Sequence, residues 1–172
     1  MHRVNGEIDS VMGVRRFVTV QDLGKLQYLG QTLKEGLRLH PPVCSIPKVL
    51  DKDETIGGYL IPATTIIDLN IYTIQRHPGY WKSPETYDPD RFFPDNTDTN
   101  VTGISLSSMF LPFSLGPRNC IGQTFAQLEA KVIMARLLQE YKLKVVPGQT
   151  LTLIEAVTVR PKEGLMCTIS KR

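Results

Sequence analysis

Leucines fall at positions 29, 33 and 37, one every fourth residue, until the pair Pro41-Pro42 closes the run. That spacing lays the leucines on one face of a helix, and proline cannot continue it. The helical pattern covers about residues 6–38, with a turn at 13–19. Downstream the period shortens, and residues 46–50, 54–61 and 64–69 predict strands, with Gly57-Gly58 suited to a hairpin turn. A short helix is expected over 70–76. Pro78, Pro84, Pro89 and Pro94 then impose an irregular meander, and the polar stretch 95–108 predicts a surface loop. Helical spacing returns at Ile121, Phe125, Leu128 and Val132 in a run that reaches Leu138. Short strands are predicted at 142–146, 150–153, 157–160 and 166–169, and no internal repeat is visible. The fold class expected is mainly α with small β-sheets.

With 172 residues and 41% hydrophobic content, the chain has the size and composition of one globular domain. It contains no run of eighteen apolar residues, and Met1-His2-Arg3-Val4-Asn5 lacks the regions of a signal peptide, so no membrane span is expected in it. The net charge of +3 is small, and no Lys/Arg cluster is interleaved with aromatics, which argues against a nucleic-acid partner. A modest basic balance still permits an acidic protein partner. Cys44, Cys120 and Cys167 are odd in number and far apart, which argues against a disulfide framework and for a reducing compartment. Cys44 and Cys167 read as ordinary thiols, buried or partly exposed. No His/Asp/Glu spacing suggests a separate metal site or a hydrolytic triad.

The segment Phe113-Ser114-Leu115-Gly116-Pro117-Arg118-Asn119-Cys120-Ile121-Gly122 sets one thiol at the mouth of the last long helix. Unpaired amides at a helix start favour an anion there, and cationic neighbours or a bound metal deprotonate a thiol. Cys120 therefore suits a metal-binding thiolate. Gly116 and Gly122 fit a loop passing close under a flat cofactor, where positive φ and bare backbone are needed. Arg118 offers a fork of donors matched to a carboxylate. The plainer alternative is a small buried hydrophobe at a helix start.

The pattern F-x-x-G-x-R-x-C-x-G is the haem-binding signature of the cytochrome P-450 superfamily, and the segment matches all its fixed positions. Two further segments resemble that family: Glu35-Gly36-Leu37-Arg38 its E-x-x-R motif, and Pro89-Asp90-Arg91-Phe92 its P-x-R-F motif. The resemblance runs from about Asp22 to the C-terminus. It implies that residues 1–172 are the C-terminal portion of one cytochrome P-450 domain, an incomplete domain whose family members are longer. Within the family, segments 25–31, 120–127 and 146–149 look most like the sterol side-chain hydroxylases called cholesterol 24-hydroxylase.

The resemblance implies haem b as cofactor, with Cys120 as the axial ligand of its iron and Phe113, Arg118, Ile121, Gly122, Ala126 and Lys48 as further contacts. Relatives commonly carry arginine where Lys48 stands, and lysine keeps the charge but loses the bidentate fork. Glu35, Arg38 and Arg91 are implied to form a buried structural network. Val43, Cys44, Ile46, Ala156, Val157 and Thr158 are implied to line the substrate pocket. No catalytic residue is assigned, because the family's distal acid–alcohol motif has no match here.

The implied activity is monooxygenation of a hydrophobic, sterol-like small molecule, using O2 and NADPH electrons delivered by a flavoprotein reductase. Lys131, Arg136, Lys142 and Lys144 are candidates for docking that reductase. The implied location is the cytosolic face of the endoplasmic reticulum membrane, with membrane association through an N-terminal part that this chain lacks. The formal sequon Asn100-Val101-Thr102 is accordingly expected to be unmodified. Two rival readings remain: a haem-thiolate isomerase or dehydratase, and a truncated, non-catalytic fragment that binds haem or other proteins.

Overall fold

The computed structural model describes residues 2–94 and 105–172. Helix α1 (His2–Met12) buries Val4, Ile8 and Met12, whose spacing of four puts them on one face. The short α2 (Val20–Lys25) opens with a capping box, in which the Thr19 hydroxyl accepts from the Asp22 amide and the Asp22 carboxylate accepts from the Thr19 amide. Helix α3 (Gln27–Leu39) follows a break at Leu26, which the residue pattern does not signal because leucine is itself a good helix former.

Leu26 has no side chain that can cap α3. Glu7 of α1 does so instead, accepting from the amides of Tyr28 at 2.7 Å and Leu29 at 2.8 Å. A carboxylate at a helix N-terminus satisfies two orphan donors and sits at the favourable end of the dipole. Against α1 and α3 packs α6 (Gln123–Glu140), and Val4, Ile8, Met12, Leu26, Leu29, Ala135 and Leu138 form the main apolar core.

The described strands make four two-stranded antiparallel sheets. Strand β1 (Ser45–Val49) pairs with β4 (Ile66–Asn70), and between them β2 (Glu54–Ile56) and β3 (Tyr59–Ile61) form a hairpin. Its turn places Gly57 at φ 59° and Gly58 at φ 87°, a left-handed pair that needs glycine. Strand β5 (Tyr141–Val145) pairs with β8 (Cys167–Lys171), and β6 (Leu153–Glu155) with β7 (Val159–Pro161). Strand β6 starts later than expected. The Gln149 side chain accepts from Met166 and donates to the carbonyls of Val146 and Met166, so the chain before β6 is held as a loop.

Helix α4 (Ile71–Ile74) is shorter than expected and is capped by Asn70, whose side chain accepts from the Thr73 amide. The meander then runs into a 3-10 turn (Pro89–Phe92) started by Asp88, and Trp81, Phe92 and Met109 build a second, smaller core. Of the predicted loop 95–108, its last residues enter α5 (Leu106–Met109), while the sequon lies outside the described residues. No helix of the described residues is long and apolar enough to cross a membrane.

Candidate functional site

The site is built on a charge network at the end of α3. Glu35 and Arg38 are one helical turn apart and both fully buried, and the Glu35 carboxylate accepts from Arg38 Nε at 2.7 Å and Nη2 at 2.8 Å. It also accepts from the Asp88 amide at 2.8 Å, which fastens the meander to α3. Arg91 approaches less closely, with Nε 3.4 Å from Glu35 Oε1 and no hydrogen bond at that nitrogen; its Nη2 donates to the Ser83 carbonyl at 2.9 Å. Arg38 stacks its guanidinium 5.1 Å from the centre of the Trp81 ring. Burying these charges is tolerable because each finds a counter-charge or carbonyl inside the chain.

From this network the chain reaches the cysteine loop through Gln75, a fully buried residue that the sequence pattern does not single out. Its side chain accepts from the Leu111 amide at 2.8 Å and donates to the carbonyls of Leu37 and Arg38. The loop then enters the left-handed region twice, at Ser114 (φ 63°) and Gly116 (φ 84°), and the Cys120 amide donates back to the Phe113 carbonyl at 2.9 Å. Only Gly116 uses glycine's freedom. Gly122 has φ −85°, and a Cβ there would meet the Cys120 sulfur at 3.8 Å, ordinary contact.

Cys120 is exposed, and α6 begins three residues beyond it. The thiol borders a cavity of 330 Å³ shared with Phe113, Arg118, Val43, Ile46 and Leu37. The structure thus brings together the thiol, one guanidinium and two of the predicted substrate residues. Ile121 and Phe125 extend the exposed apolar surface along α6, at 104% and 70% exposure.

Other predicted contacts lie elsewhere. Lys48, two residues beyond Ile46 on β1, is exposed and lies outside the cavity's lining. Ala126 lines a different cavity, of 760 Å³, between α3 and α6. Cys44 directs its sulfur to the Pro41 carbonyl instead of the cavity, and burial pushes its thiol pKa up, with Glu155 adding to the effect. Ala156, Val157 and Thr158 sit exposed in the turn between β6 and β7, outside the lining of the Cys120 cavity. Their hairpin does reach the cavity wall, since the Val159 amide donates to the Pro42 carbonyl at 2.7 Å.

The basic residues divide too. Lys131 donates to the Leu23 carbonyl at 3.1 Å, and its burial against Gly30 lowers its pKa, so it does not face outward as a docking charge. Arg136 is engaged on its own helix with Gln139 and Glu140. Lys142 and Lys144 are exposed on β5. Burial lowers the pKa of His40, with Arg76 reinforcing the shift. Among the described residues no group of three or more His, Cys, Asp or Glu could hold a metal ion.

Comparison with known sequences supplies the context. The sequence model of the family described as Cytochrome P-450 matches residues 1–168. The chain is 36% identical over 173 residues to Cytochrome P-450 4c3 of Drosophila melanogaster, covering 99% of this chain and 31% of that protein. It is 42% identical over 143 residues to Cytochrome P-450 4d2 of the same organism, covering 82% and 27%. To human Cytochrome P-450 4B1 it is 35% identical over 164 residues, covering 95% and 31%. The chain therefore spans less than a third of the length of these relatives.

Proposed function

The chain belongs to the cytochrome P-450 family, and on that premise we propose that it forms the proximal part of a haem-thiolate monooxygenase, with Cys120 as the iron ligand. What carries the reading is the loop itself. A hydrogen bond from the Cys120 amide to Phe113 fixes the turn while the thiol stays open to a cavity with apolar walls and Arg118 beside it. These residues fit a haem, because a thiolate, a guanidinium for a propionate and an apolar wall are the three chemistries its faces and edge require.

When bound, the haem supplies O2 activation and insertion of one oxygen atom into a C–H bond, drawing NADPH electrons through a flavoprotein reductase. The chain's own residues have narrower tasks. Cys120 donates a thiolate, Arg118 pairs with a carboxylate, and Val43 and Ile46 offer apolar contact to a substrate. Glu35, Arg38 and Arg91 hold the meander to α3 and so keep the loop's base fixed. Exposed Lys142 and Lys144 remain the candidates for a reductase contact, and the whole protein is assigned to the cytosolic face of the endoplasmic reticulum membrane.

The substrate is proposed to be a hydrophobic small molecule. The sterol side-chain resemblance finds no counterpart in the relatives described above, whose names carry no sterol. Titrating the haem-loaded protein with sterols, fatty acids and small aromatics, and following the Soret band, separates these classes. For the ligand, Cys120→Ser should abolish the red-shifted band of the ferrous carbon monoxide complex, while Cys44→Ser and Cys167→Ser leave it. The opposite pattern would reassign the ligand.

A further inference from the structure

We propose that Gln75 is a positioning residue for the cysteine loop, coupling the charge network of α3 to the backbone that presents Cys120. The proposal rests on the reading of Cys120 as the haem ligand, but the coupling itself is a property of the chain. Gln75 is fully buried just past α4, far from both segments in sequence. Beyond its own helix it makes four hydrogen bonds through three groups. Its amide nitrogen donates to Arg38 O at 3.0 Å and Leu37 O at 3.1 Å, its side-chain oxygen accepts from Leu111 N at 2.8 Å, and its backbone carbonyl accepts from Arg38 Nη1 at 2.8 Å.

Only one orientation of the amide satisfies this arrangement. Two carbonyls demand the nitrogen on one side, and one N–H demands the oxygen on the other; a flipped amide would set oxygen against oxygen. Neither a carboxylate nor a simple alcohol supplies two donors and an acceptor in one plane. The residue type is therefore dictated by its three partners.

The bond to Leu111 matters because of what Leu111 does next. Its own carbonyl accepts from the Ser114 amide at 3.0 Å, closing the first strained turn of the loop, and the Phe113 carbonyl within that turn receives the Cys120 amide. A continuous series thus runs from Arg38 through Gln75 and Leu111 to the Phe113–Ser114 turn and Cys120. Ser114 holds a left-handed backbone without being glycine, and such a conformation persists only where surrounding bonds enforce it. The Gln75–Leu111 bond is the enforcing contact at the turn's entry.

Gln75→Met keeps length and bulk but removes all three side-chain bonds, leaving a buried N–H without a partner. In the haem-free chain, the Leu111 and Cys120 amides should exchange with solvent about tenfold faster or more, while amides of the α1–α3–α6 core change little. In the haem-loaded protein, Gln75→Met should raise the fraction of ferrous carbon monoxide complex lacking the thiolate red shift under conditions where the amides of the α1–α3–α6 core keep the parent's protection. If Gln75→Met left Leu111 and Cys120 exchange unchanged, or sped exchange equally through the core, the positioning role would be overturned. The ligand reading fails separately, through absence of the thiolate band in the unmodified protein.

Discussion

Helices α3 and α6 treat their side chains in opposite ways. On α3 the charged pair Glu35 and Arg38 is fully buried, whereas on α6 and its approach Ile121, Phe125 and Leu128 stand exposed, at 104%, 70% and 43%. Ordinarily charge is outside and apolar surface inside. The inversion has a different meaning at each place. Around Glu35 the chain supplies every partner that buried charge requires: Arg38, Arg91 and the Asp88 amide. Along α6 the described residues leave an apolar stripe uncovered, and a stripe of that kind marks a surface meant for another group. In the proposed function, that surface faces the haem and the remainder of a cytochrome P-450 fold.

The sharpest way to break this comparison is to remove a charge from the closed side. Glu35→Ala leaves two guanidiniums buried without their carboxylate, and the expected loss is about 3–5 kcal/mol by urea unfolding. Arg91→Met should cost less, because its Nε contacts Glu35 at 3.4 Å without a hydrogen bond. Equal losses would mean that Arg91 contributes as a full member of the network, contrary to its geometry. A change of only a few tenths for Glu35→Ala would place the network outside the cooperative core.

Next in size is the cap of α3. Glu7→Ala removes the carboxylate that receives the Tyr28 and Leu29 amides and should cost about 1–2 kcal/mol. Glu7→Gln should recover part of this, since an amide oxygen still accepts. Identical losses for both variants would assign the effect to the carboxylate's charge rather than to its bonds.

The two regions also differed in how far they could be read from the residues. Leu29, Leu33 and Leu37 announce α3 by their spacing, and the Gly57-Gly58 pair announces a hairpin, because both signals are local. Cys120, Arg118 and Gly116 stand in one short segment, so the loop was legible too. What escaped the sequence is what joins distant segments: Glu7 capping α3 across about one-eighth of the chain, and Gln75 bridging Arg38 to Leu111. No spacing encodes such contacts. Of the contacts assigned by resemblance, Val43 and Ile46 line the Cys120 cavity, and Lys48 and Ala126 lie outside its lining.

A smaller effect concerns pH at the closed side. Arg15, through a bidentate pair, and then Thr19 hold the Asp22 carboxyl well below the usual carboxylate range. The folded pKa thus lies below the unfolded one, so this group's stabilisation is complete above the unfolded value of 3.8 and drains away as pH falls through the folded value. Asp22→Asn should flatten the acid limb of a melting-temperature profile below that pH, and the gap between variant and parent should close as acid protonates the parent. A gap that stayed constant down the limb would show that Asp22 acts through packing alone.

The smallest effect is expected on the open side, and it is the most telling. Phe125 is an aromatic residue on a long helix, and in a closed core its loss would cost several kcal/mol. Here the ring is 70% exposed, so Phe125→Ser removes little buried surface and should shift the stability of the haem-free chain by no more than about 0.5 kcal/mol. The same substitution should hasten haem loss from the loaded protein, because the proposed haem-facing stripe would lose its largest apolar member. Measuring urea unfolding without haem and haem transfer to a scavenging apoprotein separates the two roles. A large loss of stability without haem would mean that the stripe is covered by the chain itself in solution. A haem-transfer rate equal to the parent's would remove Phe125 from the surface that the cofactor contacts.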